Sequence, residues 1–292
     1  MASIYTLETD IRELLKTKNW LTPSLQKELS EGVGNRIKAQ FEEQKKPSLR
    51  LSKMGDTCPK ALWHSIHTPE LAEDLPPWAH NKFSVGHFWE AYLLVQCKAA
   101  GHRVEGEQDE LQLNGVQGHR DAVIDGCVVD IKSASTRQFA KFRNRTLEKD
   151  DPFGYLDQLD GYIVASLHDP LVLVKDRGYF LAIDKQMGHP CVYEHIARTD
   201  HVINRVSTYK RIVGQSDPPD CTCETTPIGA GGNIKLGVRA SYSAFKWTCF
   251  PQLRCFLYAE GPVYFSHVAT IPRNTYGNIR EINKDGYIIH NY

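Results

Sequence analysis

Gly118-His119-Arg120-Asp121-Ala122-Val123-Ile124-Asp125-Gly126-Cys127-Val128-Val129-Asp130-Ile131-Lys132 is the stretch on which the fold turns. The Asp125-Gly126 pair at its centre is a strong signal for a two-residue hairpin turn. With that turn, Ile124 faces Cys127, Val123 faces Val128, Ala122 faces Val129, and Asp121 lands opposite Asp130. Lys132 shares the face of Asp130, because strand side chains repeat every second residue. Opposed like charges destabilise a sheet unless something compensates them, and a divalent cation between the two carboxylates would do so. An acid-x-lysine step alone is often no more than a solvated face. Here Ala122, Val123, Ile124, Cys127, Val128, Val129 and Ile131 leave few polar positions, so the strands read as central ones buried on both sides. Charges in such a place need partners, and the pattern points to metal-dependent phosphodiester hydrolysis.

The chain has 292 residues, enough for one large domain or two small ones, and its 35 basic and 35 acidic residues cancel. Any affinity for nucleic acid must then come from a local basic patch rather than a global field. The N-terminus lacks a basic start followed by an apolar run, and no stretch approaches a membrane span, so a soluble, intracellular protein without membrane contact is expected. In such a compartment the eight cysteines read as reduced thiols or metal ligands rather than a disulfide framework.

Residues 1 to about 50 read as a helical preface, with a helix start at Leu21-Thr22-Pro23-Ser24. A second helix begins near Cys58 and carries Leu62 and Trp63, and a third runs from Phe83 to Ala100, ending at Gly101. A β-rich block with the acidic hairpin follows. Ser133 to Lys149 interleaves Arg137, Lys141, Arg143 and Arg145 with Phe139 and Phe142, which suits either a grip on a nucleic-acid backbone or a helix with one apolar stripe. Asp151-Pro152 starts a helix carrying Tyr155, Gln158 and Tyr162. Leu171–Val174 and Tyr179–Ile183 read as a hairpin, and a long helix is expected from about Tyr193 to Val213.

In the hydrolase reading Asp121 and Asp130 supply the core metal ligands, the backbone carbonyl of Ile131 adds another, and waters complete a roughly octahedral shell. Lys132 orients the attacking water, lowers its pKa or stabilises charge on phosphorus. Glu90 is the only acid between Phe83 and Ala100, beside an apolar stripe. His87, one turn earlier, serves as a second ligand or a hydrogen-bond partner, with a structural role favoured. Gln158 and Tyr162 lie four apart, with Tyr155 three before, so one helical edge offers an amide and two phenols suited to positioning phosphate.

Gly86-x-x-x-Glu90, Gly118-x-x-Asp121, Asp130-x-Lys132 and Gln158-x-x-x-Tyr162 resemble, in order and spacing, the motifs of the RecB-type branch of the PD-(D/E)XK nuclease superfamily. The glycine spacing assigns the helix ligand to Glu90, where many members place a histidine. Ser52-Lys53-Met54-Gly55-Asp56-Thr57-Cys58-Pro59-Lys60-Ala61-Leu62-Trp63 is similar to the first cysteine motif of the iron-sulfur members, the AddB-like and CRISPR-associated four-cysteine nucleases. Tyr242 to Cys255 resembles their C-terminal cluster, C-x-x-C-x5-C, except that Lys246 stands at its first position.

What the resemblance implies is a restriction-endonuclease-like α/β fold. A central mixed β-sheet is flanked by helices, with a helical N-terminal part and a cysteine-bearing C-terminal region. The expected domains are 1–75, helical and carrying the first cluster cysteine; 76–215, the nuclease core; and 216–292, packed on that core. The expected ligands of a 4Fe-4S cluster are Cys58, Cys223, Cys249 and Cys255, with Cys221 as the alternative to Cys223. The competing arrangement is structural zinc on Cys221, Cys223, Cys249 and Cys255. Cys97, Cys127 and Cys191 are expected to be unligated. The implied activity is a magnesium- or manganese-dependent exonuclease on single-stranded DNA or duplex ends, like the stand-alone enzymes of tailed phages. It would act in replication, recombination or repair, with recombination or replication proteins as partners, in the cytoplasm, the host's if phage-encoded. Arg137, Lys141, Arg143 and Tyr155 would contact DNA. The rival readings are a non-catalytic nucleic-acid-binding module with a structural metal, and a site-specific endonuclease.

Overall fold

The computed structural model describes residues 2–42, 47–272 and 279–292. Helices α1 (Leu7–Leu14), α2 (Pro23–Gln40), α3 (Pro59–His67) and α4 (Pro77–Ala99) come first. Proline at the first helical position starts α2, α3 and α4, where its missing N–H costs nothing. This moves the start of α4 six residues ahead of the expected Phe83. The strands β1 (Val104–Glu105), β2 (Glu110–Leu113), β3 (Val116–His119), β4 (Ala122–Ile124) and β5 (Cys127–Ala134) follow, then α5 (Thr136–Arg143), α6 (Tyr155–Ala165), β6 (Arg177–Asp184), β7 (Pro190–Ile196) and α7 (Thr199–Val213). Then come β8 (Thr225–Ile228), β9 (Asn233–Leu236), two single-turn helices α8 (Val238–Ser241) and α9 (Lys246–Cys249), and β10 (Arg254–Tyr258), β11 (Gly261–His267), β12 (Arg280–Ile282) and β13 (Ile288–Asn291).

The chain forms two compact units, one of residues 1–55 and 76–206, the other of residues 56–75 and 207–292. The first unit is α/β and is built on a mixed sheet of order β1-β4-β5-β6-β7, in which β5 and β6 are parallel and the other pairs antiparallel. The expected hairpin register is present: Ala122 pairs with Val129, Val123 with Val128 and Ile124 with Cys127. Asp125 and Gly126 have φ of 51° and 78°, the two left-handed residues that such a turn requires. A side chain at Gly126 would also strike Leu173, whose Cγ lies 2.8 Å from an added Cβ.

Alternation along β5 divides the sheet into two faces. Cys127, Val129 and Ile131, with Tyr179, Leu181 and Ile183 of β6, pack against Leu7 and Ile11 of α1 and Leu93, Leu94 and Cys97 of α4. The opposite face carries Asp130, Lys132 and Phe180, and meets α5 and α6: Phe142 lies edge-on to Phe180, and Lys132 bonds Gln158.

Two expectations are corrected here. Residues 171–174 are not a strand; the N–H groups of Leu173 and Val174 both donate to the Gly126 carbonyl, covering the hairpin turn. The hairpin is β6–β7 instead, and the expected helix from Tyr193 begins only at Thr199, because alternating burial at Cys191, Tyr193 and His195 suits a strand.

The second unit is built on a six-stranded antiparallel sheet of order β13-β12-β10-β11-β9-β8. Within it, Trp63 of α3 stacks on His67 at 4.3 Å and donates its indole N–H to the Gln215 carbonyl at 2.9 Å. No helix among the described residues is long and apolar enough to cross a membrane.

Candidate active site and cysteine centre

A notch in the first sheet brings the acidic residues together. β4 begins at Ala122, whereas β5 runs on to Ala134, so β5 outlasts its antiparallel neighbour. Asp121 stands at the edge of this notch, and its Oδ2 accepts the backbone N–H of Ile131 at 2.6 Å. Asp130 is almost wholly buried; its Oδ1 has no hydrogen-bond partner, and its Oδ2 lies 2.7 Å from Lys132 Nζ, outside hydrogen-bonding angles. Lys132 Nζ donates to Gln158 Oε1 at 3.1 Å and lies 4.9 Å from the centre of the Tyr155 ring. Gln158 Nε2 in turn donates to the Tyr162 hydroxyl at 2.8 Å. The i, i+4 spacing of Gln158 and Tyr162 on α6 makes this relay.

Glu90 approaches from α4. Its Oε1 accepts from Arg36 Nε at 2.9 Å and from Gln108 Nε2 at 2.7 Å, and the same Gln108 amide is 3.4 Å from Asp121 Oδ1. His87 takes no part in these bonds. Among the described residues only cysteines bring three or more metal-ligating side-chain atoms within 4.8 Å of one another. Glu90, Asp121 and Asp130 are therefore spread more widely, with Gln108 between the first two.

The electrostatics follow the geometry. Burial first, then the charges of Asp130 and Glu90, hold the Asp121 carboxyl well above the usual carboxylate range, against Lys132 and the Ile131 N–H. Burial raises Asp130 too, against the pull of Lys132. Burial would lower the Lys132 ammonium, but Asp130 and Asp121 outweigh it and keep the lysine charged. Burial and Asp130 raise Tyr162, so it remains a phenol. An orphaned buried oxygen on Asp130, with Asp121 and Glu90 near enough for their charges to be felt, is a donor set that fits a hard divalent cation.

The expected DNA contacts divide. Arg137 and Arg143 are exposed on α5, whereas Lys141 pairs with Asp150 at 2.7 Å. Tyr155 stacks between Phe142 and Phe153, beneath Lys132. The sequence reading missed Arg36 and Gln108. Only the positive φ of Gln108, 57°, sets it apart, and that is a property of the fold.

In the second unit, the thiols of Cys58, Cys221, Cys223 and Cys249 all lie within 4.8 Å of one another. Cys58 caps α3, Cys249 ends α9, and the Cys221-Thr222-Cys223 loop supplies two thiols rather than one. Cys58 Sγ is 3.8 Å from both Cys221 Sγ and Cys249 Sγ. Hydrogen bonds from Cys223 and Cys249 favour the thiolate of Cys58. Cys255 is the corrected member of the expected set. It lies inside the β10 ladder, opposite Tyr264 and Ile282, and burial pushes its thiol up to about 12. Lys246 is buried, paired with Glu73 and held 4.8 Å from the Tyr264 ring. Cys97, Cys127 and Cys191 are buried apart from the group.

No family model matches the sequence, and no curated protein matches it. Among solved structures, the chain is similar to an alkaline exonuclease from Laribacter hongkongensis in complex with dAMP. That match has 10% identity and a TM-score of 0.40, and covers 62% of this chain and 91% of the other. It is similar also to a structure titled SSO0001, at 13% identity and a TM-score of 0.38, covering 78% of this chain and 97% of the other. Overlaps this loose leave the chemistry to be read from the chain's own residues.

Proposed function

We propose that the chain is a metal-dependent deoxyribonuclease of the restriction-endonuclease-like, RecB-type kind, acting as an exonuclease on single-stranded DNA or duplex ends. The observation that carries this reading is the notch: buried Asp130 with an unpartnered oxygen, Asp121 across from it, and Lys132 tied to Gln158. Asp121, Asp130 and the Ile131 carbonyl would hold magnesium or manganese, with Glu90 joining through Oε2, the oxygen that Arg36 and Gln108 leave free. His87 is the lesser candidate for that position. A bound dication supplies an acidified water and screens charge on the phosphate.

The protein's own groups do the rest. Lys132 stays cationic beside the reacting phosphate, where a fixed ammonium opposes growing negative charge. Gln158 sets the direction of that ammonium, and Tyr162 buttresses Gln158. Arg137 and Arg143 would contact the phosphate backbone, with Tyr155 near Lys132 and Lys141 available once it leaves Asp150.

The cysteine group supports a structural metal, and its spacing favours zinc over a 4Fe-4S cluster. A tetrahedral zinc with bonds of about 2.3 Å separates its thiolates by about 3.8 Å, the spacing found at Cys58. A cube of four irons would hold the thiolates farther apart.

Labelled linear and circular single-stranded DNA, each with magnesium or manganese, test the activity. Metal-dependent loss of the linear strand with the circle intact is the expected result. Cutting of the circle would make the protein an endonuclease, and no loss of either would leave a binding module.

A further inference from the structure

Residues 106–109 join β1 to β2 in a turn whose backbone is held against its own preferences. Gly106 and Gln108 both have φ of 57°. The glycine is required, because an added Cβ would stand 2.5 Å from Nη2 of the fully buried Arg120. Glutamine does not take the left-handed region cheaply, so its neighbours must hold it there. Arg120 does so from one side, donating through Nε to the Gly106 carbonyl at 3.3 Å and through Nη2 to Asp109 at 2.7 Å. Lys98 of α4 does so from the other, through its ion pair with Glu107, and Arg36 Nη2 lies 3.8 Å from the same carboxylate. The N–H of Gln108 closes the turn on the Asp121 carbonyl at 3.3 Å.

What the turn presents is one amide. Gln108 Nε2 reaches Glu90 Oε1 at 2.7 Å and Asp121 Oδ1 at 3.4 Å. Ionised carboxylates only accept, so the atom between them is the donating nitrogen and not the amide oxygen. Arg36 Nε takes the same Glu90 oxygen at 2.9 Å. Two donors on Oε1 fix the rotation of the carboxylate and leave Oε2 without a bond among the described residues. Gln108 itself is exposed, so burial does not call for these bonds. Backbone strain of this kind persists only where the surroundings impose it, and it gathers at functional sites.

We infer that Gln108 is a positioning residue of the metal site: its amide ties the carboxylate of Glu90 to that of Asp121, so that Glu90 Oε2 is the oxygen left for the dication. The inference deepens the nuclease reading and rests on it. A neutral amide orients two carboxylates without setting a positive charge against an incoming cation, as a lysine in its place would. Partners that orient ligating groups are worth roughly 10- to 100-fold in metal affinity.

The test titrates manganese into the full chain without DNA and counts the unbound ion by its electron paramagnetic resonance signal. Gln108→Ala should weaken manganese binding roughly 10- to 100-fold. Gln108→Gly should weaken it as much, although glycine relieves the left-handed backbone and should keep the melting temperature of the manganese-free protein within about 3 °C of native. A residue that only holds the turn would show the reverse, with affinity unchanged and stability altered. Unchanged or tighter manganese binding in Gln108→Gly, or weaker binding only together with a lower melting temperature, overturns the inference. Native protein that binds no manganese removes the metal reading itself, whereas native binding with no effect of either variant removes only the role of Gln108.

Discussion

Asp121 Oδ2 takes the backbone N–H of Ile131 at 2.6 Å across the point where β4 stops and β5 continues. The bond turns one oxygen of Asp121 toward the unpaired stretch of β5 and leaves the other, Oδ1, facing Gln108. Asp121 and Asp130 are both held above their ordinary protonation range.

Lys132 is the compensating charge for Asp130, so its removal has two consequences. Lys132→Met should lower kcat by about 10²- to 10³-fold, the usual cost of losing a donor aimed at developing charge. It should also leave Asp130 buried without its cation, lowering the melting temperature at pH 7. Steady-state rates and thermal denaturation measure the two effects. A variant with native kcat would remove Lys132 from the chemistry.

The Asp160 network gives a pH dependence. Asp160 is fully buried, accepts from His195 Nε2 at 2.6 Å and from Arg198 N and Nε at 3.0 and 2.7 Å, and sits below the usual carboxylate range despite its burial. A carboxylate depressed on folding contributes stability above its unfolded pKa of about 3.9 and loses it as pH falls through the lower folded value. Asp160→Asn should cost about 3 kcal/mol at pH 7, and the deficit should begin to shrink below about pH 4 and go on shrinking as pH falls through the lower folded value. Urea melts at pH 7 and pH 3.5 check this; equal deficits at both would contradict it.

The hairpin turn was legible because its requirement is local. Two consecutive left-handed residues are cheap only for pairs such as Asp-Gly, which fixes the register of β4 on β5. The sharing of one helical edge by Gln158 and Tyr162 was legible for the same reason, whereas the bond from Lys132 to Gln158 was not, because it crosses from β5 to α6. Arg36 and Gln108 were not. They lie 54 and 18 residues from Glu90 in sequence, and nothing local marks either as its partner. β7 was read as helix because its apolar residues fit both periods over so short a run, and pairing with β6 decided the matter. Cys255 was misplaced for a similar reason: its spacing from Cys249 suited a cluster, but the β10 ladder claims it.

Gly126→Ala probes the turn directly. The substitution puts a Cβ at φ 78° and 2.8 Å from Leu173 Cγ, so it should destabilise the protein by roughly 1–3 kcal/mol. Because the turn sets the register of Asp121 against Asp130, activity should fall with stability. Denaturant midpoints and rates measured together would show this, and an unchanged midpoint would contradict it.

For the cysteine centre, Cys58→Ser, Cys221→Ser, Cys223→Ser and Cys249→Ser should each lose metal, whereas Cys255→Ser keeps it. Elemental analysis of anaerobically purified protein should find one zinc per chain. A brown protein with about four irons would replace zinc by the cluster, and metal loss in Cys255→Ser alone would restore that residue to the ligand set.

The central claim, that Asp121 and Asp130 hold a dication beside Lys132, is tested most directly by Asp130→Asn. The measurement is its rate of magnesium-dependent hydrolysis of a labelled single-stranded oligonucleotide, set against that of the native protein. The account predicts a loss of at least about 10²-fold in a protein whose circular dichroism shows the native fold. Hydrolysis at the native rate by folded Asp130→Asn would contradict it.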